Sequence, residues 1–293
     1  MKRNEPTMIM IKKLNELHRD GLSTYLSNYQ EMTMFIRSNL SQSGIIYQNK
    51  PFHGEYYGSF ENDVLNGVLV HYWHGNIMMQ AENRSLLAAL VDDFELNRTR
   101  PIAGILGEDS QASFVIEKLQ LDSSLFAVNY QEKLFLLNLE KMIRPKAITA
   151  YNCSIKTTQD CEVETIKEWL IAYDIEALGT DENNLELEES ILNEIQDKQL
   201  NENRWVLFVD NVPVSLCGFN ARLPDIVQIG PVYTPYPLRN KGFAKIAVYL
   251  CLQEAMKKEV KRATLFTNNT SAIRAYQSLG FQEIGKYRLA LLK

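Results

Sequence analysis

The residues best suited to chemistry lie in the last third of the chain. A loop, Arg239-Asn240-Lys241-Gly242-Phe243-Ala244, opens an amphipathic helix. The first N–H groups of a helix have no intrahelical partners, and with the positive end of the helix dipole they favour an anion such as a phosphate. Gly242 suits a point where a ligand comes too close to the backbone for a side chain. Ala244 is small, and Arg239 and Lys241 bring positive charge. Farther on, Tyr276 sits on a second helix, and a phenol can give up a proton without first being charged. The spacing R-x-x-G-x-A is not the dinucleotide fingerprint, and it lacks the Gly-Lys-Ser/Thr ending of a nucleoside-triphosphate loop. Taken alone, the loop is equally well an ordinary strand-to-helix turn.

The neighbouring segments add to this. A strand ends in Val232-Tyr233-Thr234-Pro235 just before the loop, and Asn269 precedes Tyr276 by seven residues, ahead of Gly280-Phe281. From about Ala147 to the end, the chain resembles the GNAT superfamily of acyl-CoA-dependent N-acetyltransferases. Arg239 to Ala244 match that family's Q/R-x-x-G-x-G/A loop, which grips the pyrophosphate of coenzyme A through backbone amides. Val232, Tyr233 and Thr234 look like the bulged fourth strand that pairs with the pantetheine arm. Asn269 and Tyr276 match N-x6-Y-x3-G-F, in which the Asn contacts the cofactor and the Tyr lies near its sulfur. The resemblance implies acetyl-CoA as cosubstrate and direct attack by an amine, with no acyl-enzyme.

On this reading Tyr276 is the general acid, and packing against the sheet is its competing role. The general base is less defined. Glu176, at the end of the helix ending AYDIEALG, is the first carboxylate to consider. Asp181 and Glu182 are alternatives, and each of the three is equally an ordinary solvated acid. A water chain can also serve. Asn220, Arg222 and Gln228 lie just before the cofactor strand and could touch the acceptor, a small-molecule or protein amine. A protein that binds acyl-CoA as a sensor without turnover is the alternative from a different class. A nucleotide-binding enzyme is a weaker third, because the loop has no Lys-Ser/Thr for a triphosphate and its magnesium.

These residues need elements to hold them. Hydrophobic periodicity predicts helices near 10–20 and 25–40 and strands near 53–60, 64–73 and 77–81. A helix at 82–97, a strand at 102–106, a helix at 110–119 and strands at 124–130 and 133–139 follow. The second half repeats the order. Helices are expected at 161–177 and 185–199, then a hairpin turning at Asp210-Asn211. The cofactor strand, the loop and its helix come next, then a strand at 262–267, a helix at 271–279 and a last strand near 281–291. The expected architecture is therefore α/β, or α+β in some schemes. It comprises two tandem GNAT-like domains, each with a mixed, mostly antiparallel central sheet flanked by helices. Residues 1–145 form a degenerate amino-terminal domain, with AENRSLLAAL where the glycine loop should stand, and residues 146–293 form the catalytic domain.

Composition narrows the class. The chain has 293 residues, 45% of them hydrophobic, and a formal net charge of −5 with both signs interspersed. That is enough apolar surface for packed cores, and it offers no basic field for nucleic acid. No apolar run reaches the length of a membrane span, and the opening MKRNEPTMIMIKK does not read as a signal peptide. Cys153, Cys161, Cys217 and Cys251 follow no zinc spacing, so free thiols in a cytoplasmic setting are expected. His71 and His74 flank Tyr72-Trp73 without a third ligand, which favours packing over a metal site. Nothing in the sequence sets an oligomeric state.

Overall fold

The computed structural model describes residues 9–197 and 201–293. They fall into two compact units, one made of the described residues up to 132 with 286–293 and the other of those between 133 and 285.

In the first unit, strand β1 (Ile9–Lys13) leads into helices α1 (Arg19–Leu26) and α2 (Met34–Ser43). Strands β2 (Gly54–Glu61), β3 (Val64–Tyr72) and β4 (Asn76–Ala81) form the meander read from the sequence. Helix α3 (Arg84–Asn97), strand β5 (Gly104–Glu108) and helix α4 (Asp109–Lys118) follow. The strands lie in the order β1-β2-β3-β4-β5, antiparallel except for the β4–β5 pair. Leu86, Leu90 and Phe94 of α3 are fully buried and pack with Leu69, Ile77 and Ile105 of the sheet, forming the unit's core.

The second unit repeats the plan. Strand β7 (Cys153–Thr157) precedes helices α5 (Val163–Tyr173) and α6 (Leu187–Gln196). Strands β8 (Arg204–Val209), β9 (Val212–Arg222) and β10 (Ile226–Tyr233) form the meander, with Asp210 and Asn211 both at positive φ in the hairpin turn. Helix α7 (Phe243–Lys257), strand β11 (Arg262–Thr267) and helix α8 (Thr270–Ser278) follow. The order β7-β8-β9-β10-β11 is again antiparallel apart from its last pair, β10–β11. One face packs on α7 and α8 through residues such as Leu207, Phe219, Ile246, Leu252 and Tyr276. The other face packs on α5 and α6 through Trp169, Leu170, Ile191, Val206 and Leu216.

The two units exchange their closing strands. Strand β6 (Phe126–Asn138) runs on into the second unit, where Lys133–Asn138 pair antiparallel with β11. Strand β12 (Gln282–Leu292) returns to the first unit, where Tyr287–Leu291 pair antiparallel with β5 and Ala290 is fully buried in that core. A division at 145/146 follows the chain, whereas the compact units follow the pairing. Three local expectations are corrected. Residues 9–13 form an edge strand and not a helical start. Residues 126–138 form one strand and not two. The end of the chain completes the first unit and not the second.

Because β5 has β12 as its partner, a chain ending after Gly285 loses one side of β5 and an apolar plug. Amide exchange should show protection lost across β4, β5 and α3 and retained in β8, β9 and α7. Unchanged protection of β5 would contradict the exchange.

Candidate active site

The second unit opens where β10 and β11 part. Their parallel pairing is limited to Ile226–Gln228 against Arg262–Thr264, although the strands run on to Tyr233 and Thr267. On its other edge β10 stays attached to β9, but the register slips between Ile229 and Val232. Val232 and Tyr233 then pair with Cys217 and Leu216. The edge of β10 facing the gap is thus free of strand pairing over the residues that the sequence assigned to a pantetheine contact.

The loop and the start of α7 close one end of this gap. Gly242 is the residue before α7 and has φ +83°, a left-handed conformation that glycine adopts without strain. A Cβ built on it would meet only the Cβ of Ala147, at 3.7 Å, so the space over it is open. No side chain caps α7, which leaves its first-turn N–H groups to a ligand or to solvent. Phe243 is a core residue packed edge-on against Tyr151, so only its backbone faces outward. Ala244 is half-buried, and Asn240 and Lys241 are exposed.

Arg239 has a different task from the one its charge suggests. Its Nε donates to the Thr234 carbonyl at 2.8 Å, and its Nη2 donates to Glu176 at 2.6 Å. Its guanidinium lies 5.6 Å from the ring centres of both Tyr233 and Tyr236. Arg239 therefore braces the loop against the end of α5. The same ion pair occupies Glu176, which is exposed and has a cation on its carboxylate. That contact takes up one oxygen of Glu176, so the residue braces the loop while its other carboxylate oxygen keeps lone pairs. Thr234 also holds the loop, with its hydroxyl 2.8 Å from that of Ser215.

The chain following α5 continues as a π-helical turn, Asp174–Leu178. Such turns are often found at functional sites. It contains a carboxylate the sequence reading missed. Asp174 is pushed up to about 6, chiefly by burial, with Glu194 adding to the rise and Arg204 opposing it. Glu194 in turn accepts from Nη2 of Arg204, a residue only 4% exposed. The preceding Tyr173 is close enough to Tyr276 to help raise its pKa. Tyr276 is buried on α8 beside Phe281, at 5.8 Å between ring centres. Burial first, then Cys217 and Tyr173, push its phenol well above the ordinary range, so it keeps its proton at neutral pH.

Other expected contacts divide. Asn269 caps its own helix, accepting from the N–H groups of Ser271 and Ala272 at 2.9 and 3.0 Å. Its Oδ1 is therefore committed, and only its NH2 group can reach a ligand. Gln228 is buried at the vertex of the gap; its Nε2 donates to the Ile229 carbonyl and its Oε1 has no partner. Arg222 donates to Asn203, and Asp181 accepts from the Asn183 N–H in a local turn. His71 and His74 are packing groups in the first unit: His71 lies edge-on to Phe94 and His74 stacks on Trp73.

The acetyltransferase (GNAT) family model matches residues 163–281, the stretch from α5 through the gap to Phe281. The carboxy-terminal unit is a GNAT-family domain. Solved structures extend the likeness in fold to nearly the whole chain. A Drosophila protein is similar with TM-score 0.65 at 11% identity, covering 97% of this chain and 99% of its own. A tandem GNAT protein from the clavulanic acid biosynthesis pathway is similar with TM-score 0.57 at 11% identity, over 97% and 98%. A GCN5-related N-acetyltransferase from Sphaerobacter thermophilus follows with TM-score 0.56 at 12% identity, over 96% and 94%. No curated protein matches the sequence. The chain thus has two units of GNAT-like fold, and the family that residues 163–281 match is one of acetyltransferases.

The GNAT loop gives a direct test. A β-branched residue at φ +83° is strained, and its bulk would fill the open space over the helix start. Gly242→Val should lower affinity for coenzyme A at least about tenfold, since 1.4 kcal/mol is already that factor. Calorimetry on protein of unchanged circular dichroism is the check.

Proposed function

We propose that the carboxy-terminal domain transfers the acetyl group of acetyl-CoA to an amine by direct attack. The observation that carries the reading is the uncapped start of α7 beside a gap in the sheet. A row of main-chain donors there has no side-chain cap among the described residues, next to a strand edge with no strand partner among them. Phe243, Ala244 and Lys245 supply N–H groups for the pyrophosphate, with Lys241 adding charge. The edge of Val232 and Tyr233 that has no strand partner suits the amide-bearing arm, while the Thr234 carbonyl is taken by Arg239. Bound acetyl-CoA would supply an activated thioester; the remaining roles belong to the chain.

Tyr276 holds a proton on its hydroxyl at neutral pH and is the general acid in this reading. Asp174 replaces Glu176 as the base. A half-buried carboxylate poised near 6 can take a proton from an ammonium, directly or through water, at neutral pH. Burial holds Asp174 in that range, with Glu194 adding to the rise and Arg204 opposing it.

The amino-terminal unit serves as an internal control. Its α3 occupies the place of α7, but Asn83 caps it by accepting from the Leu86 N–H at 3.0 Å. The backbone N–H of Ala81, at the end of β4, donates to Gln111 at 2.8 Å. One of the helix-start donors and one N–H at the end of the strand are thus taken by the unit's own side chains. We infer that this unit has given up cofactor binding.

One observation favours the sensor reading: the carboxylate expected to act as base is locked to Arg239. Release of free thiol from acetyl-CoA in the presence of an amine panel separates the two. An enzyme yields thiol in proportion to amine, and a sensor binds the cofactor and yields none above background.

Tyr276→Phe should lower kcat by about 10²-fold or more while leaving the dissociation constant of coenzyme A within about threefold. Asp174 should appear in the pH profile. Its proton is lost as pH rises through about 6, so kcat/KM should rise through that value and then level. Asp174→Asn should remove this limb and cost about 10²-fold. A profile that keeps its limb in Asp174→Asn assigns the base elsewhere.

A further inference from the structure

Two buried side chains of the second unit carry polar atoms that no described residue satisfies, and both lie on the sheet face covered by α5 and α6. Arg204 is 4% exposed, and its Nε and Nη1 have no hydrogen-bond partner among the described residues; only Nη2 is used, on Glu194. Gln228 is 3% exposed, and its Oε1 has no partner among them either. The strand pattern puts the two on one face. Val206, two residues after Arg204, packs with Trp169 and Leu170 of α5, whereas Val227 and Ile229, on either side of Gln228, pack with α7 on the other face.

The strands between them draw polar groups together. Arg204 pairs with Gly218 on β9. A Cβ at Gly218 would stand 2.7 Å from Cγ of Arg204 and 3.4 Å from the Gly230 carbonyl of β10, so the missing side chain lets the arginine stem lie over β9, toward β10. A Cβ at Gly230 would collide with the Asn220 amide, so Asn220 leans over β10 in the same way. Asn220 is exposed, so solvent reaches this face. Gln228 is two residues before Gly230, at the last paired position before β10 and β11 part.

The charges beside Arg204 are not balanced. Asp174 loses its proton near 6, chiefly because burial raises it, and the charged groups acting on it are Glu194 and Arg204. At neutral pH two carboxylates therefore face one guanidinium, an excess of one negative charge that a single ammonium cancels. Asp174 and Glu194 are both half-buried, so a ligand has access to them. The unpaired atoms make a separate demand. Arg204 has N–H groups that need an acceptor, and Gln228 has an oxygen that needs a donor. Buried polar groups left unpaired are costly. A hydroxyl accepts and donates at one atom. A carboxylate only accepts and brings another negative charge, and an alkyl chain does neither.

We propose that this face receives the acceptor and that the acceptor is a hydroxylated amine, an amino alcohol or amino sugar: its ammonium pairs with Asp174, and its hydroxyls accept from Arg204 and donate to Gln228. The assignment rests on the acetyl-transfer reading of this unit and adds to it the class of amine. A site whose buried polar groups are satisfied only by a substrate hydroxyl rejects the analogue that lacks it, because that analogue leaves them unpaired. Arg204 and Gln228 are then specificity residues, on the opposite face of the sheet from Tyr276.

Calorimetry on the full chain, at neutral pH in saturating coenzyme A, tests this with a matched series. Aminocyclohexanol and glucosamine carry amine and hydroxyl, cyclohexylamine lacks the hydroxyl, cyclohexanol lacks the amine, and aminocyclohexanecarboxylate has a carboxylate in the hydroxyl's place. We expect at least one hydroxylated amine to bind saturably in the millimolar range or tighter. The other three should bind at least about tenfold more weakly, the factor one hydrogen bond to a charged group supplies. Gln228→Leu, which keeps the bulk and removes the unpaired oxygen, should weaken aminocyclohexanol about tenfold and leave cyclohexylamine within about threefold. Arg204→Lys, which keeps a cation opposite Glu194 and removes the spare donors, should do the same; the unmodified chain decides the matter if either variant fails to fold. No saturable heat from either hydroxylated amine, binding of cyclohexylamine or the carboxylate as tight as that of aminocyclohexanol, or unchanged selectivity in folded Gln228→Leu would each overturn the proposal. Thiol release from acetyl-CoA with the same amines separates the two readings. Selective binding without release keeps the site and removes transfer, whereas release indifferent to the hydroxyl keeps transfer and removes this assignment.

Discussion

The second unit depends on a set of donors that the fold itself leaves unpaired. An α-helix begins with N–H groups that cannot bond within it. At α7 no side chain accepts from them. The parting of β10 and β11 then places an unpaired strand edge alongside. These are two exposures of backbone polar groups in one place. Their persistence, with Gly242 held in a left-handed conformation and Arg239 spent on bracing the loop, is the basis on which a receptor for an extended, phosphorylated ligand is proposed here.

The first unit shows that the fold does not require this. It has the same strand order, the same single parallel pair and the same helix after its fourth strand. There Asn83 caps the helix and Gln111 takes the N–H of Ala81. The same plan thus occurs twice within the chain, with the helix start uncapped in one unit and one of its donors capped in the other. The exchange of β6 and β12 means neither unit is built wholly from its own half of the sequence.

What was legible in the sequence was local. The loop from Arg239 to Ala244, its helix, the hairpin at Asp210-Asn211 and the helix bearing Tyr276 all depend on residues within a few positions of one another. What was not legible depended on distant partners or on burial. Arg239 and Glu176 are 63 residues apart, and nothing in either segment says they pair. Asp174 looks like any surface acid until Glu194 and Arg204 are placed beside it. In β1, Ile9 and Ile11 fit a strand as well as a helix, and only pairing with β2 decides. In β6, the polar run Asn129 to Lys133 resembles a turn but is extended, and the pairing of Lys133–Asn138 is with β11, more than a hundred residues on in sequence. Strand β7 is five residues long and only half-buried, too short for its alternation to stand out.

The most direct measurement is a nitrogen-15 amide spectrum of the full chain titrated with coenzyme A. The account predicts large, saturable shifts for the N–H groups of Phe243, Ala244 and Lys245, smaller ones at Val232–Thr234, and none for Leu86 at the capped start of α3. Shifts absent from the start of α7 while others saturate elsewhere, or a response at α3 equal to that at α7, would contradict it.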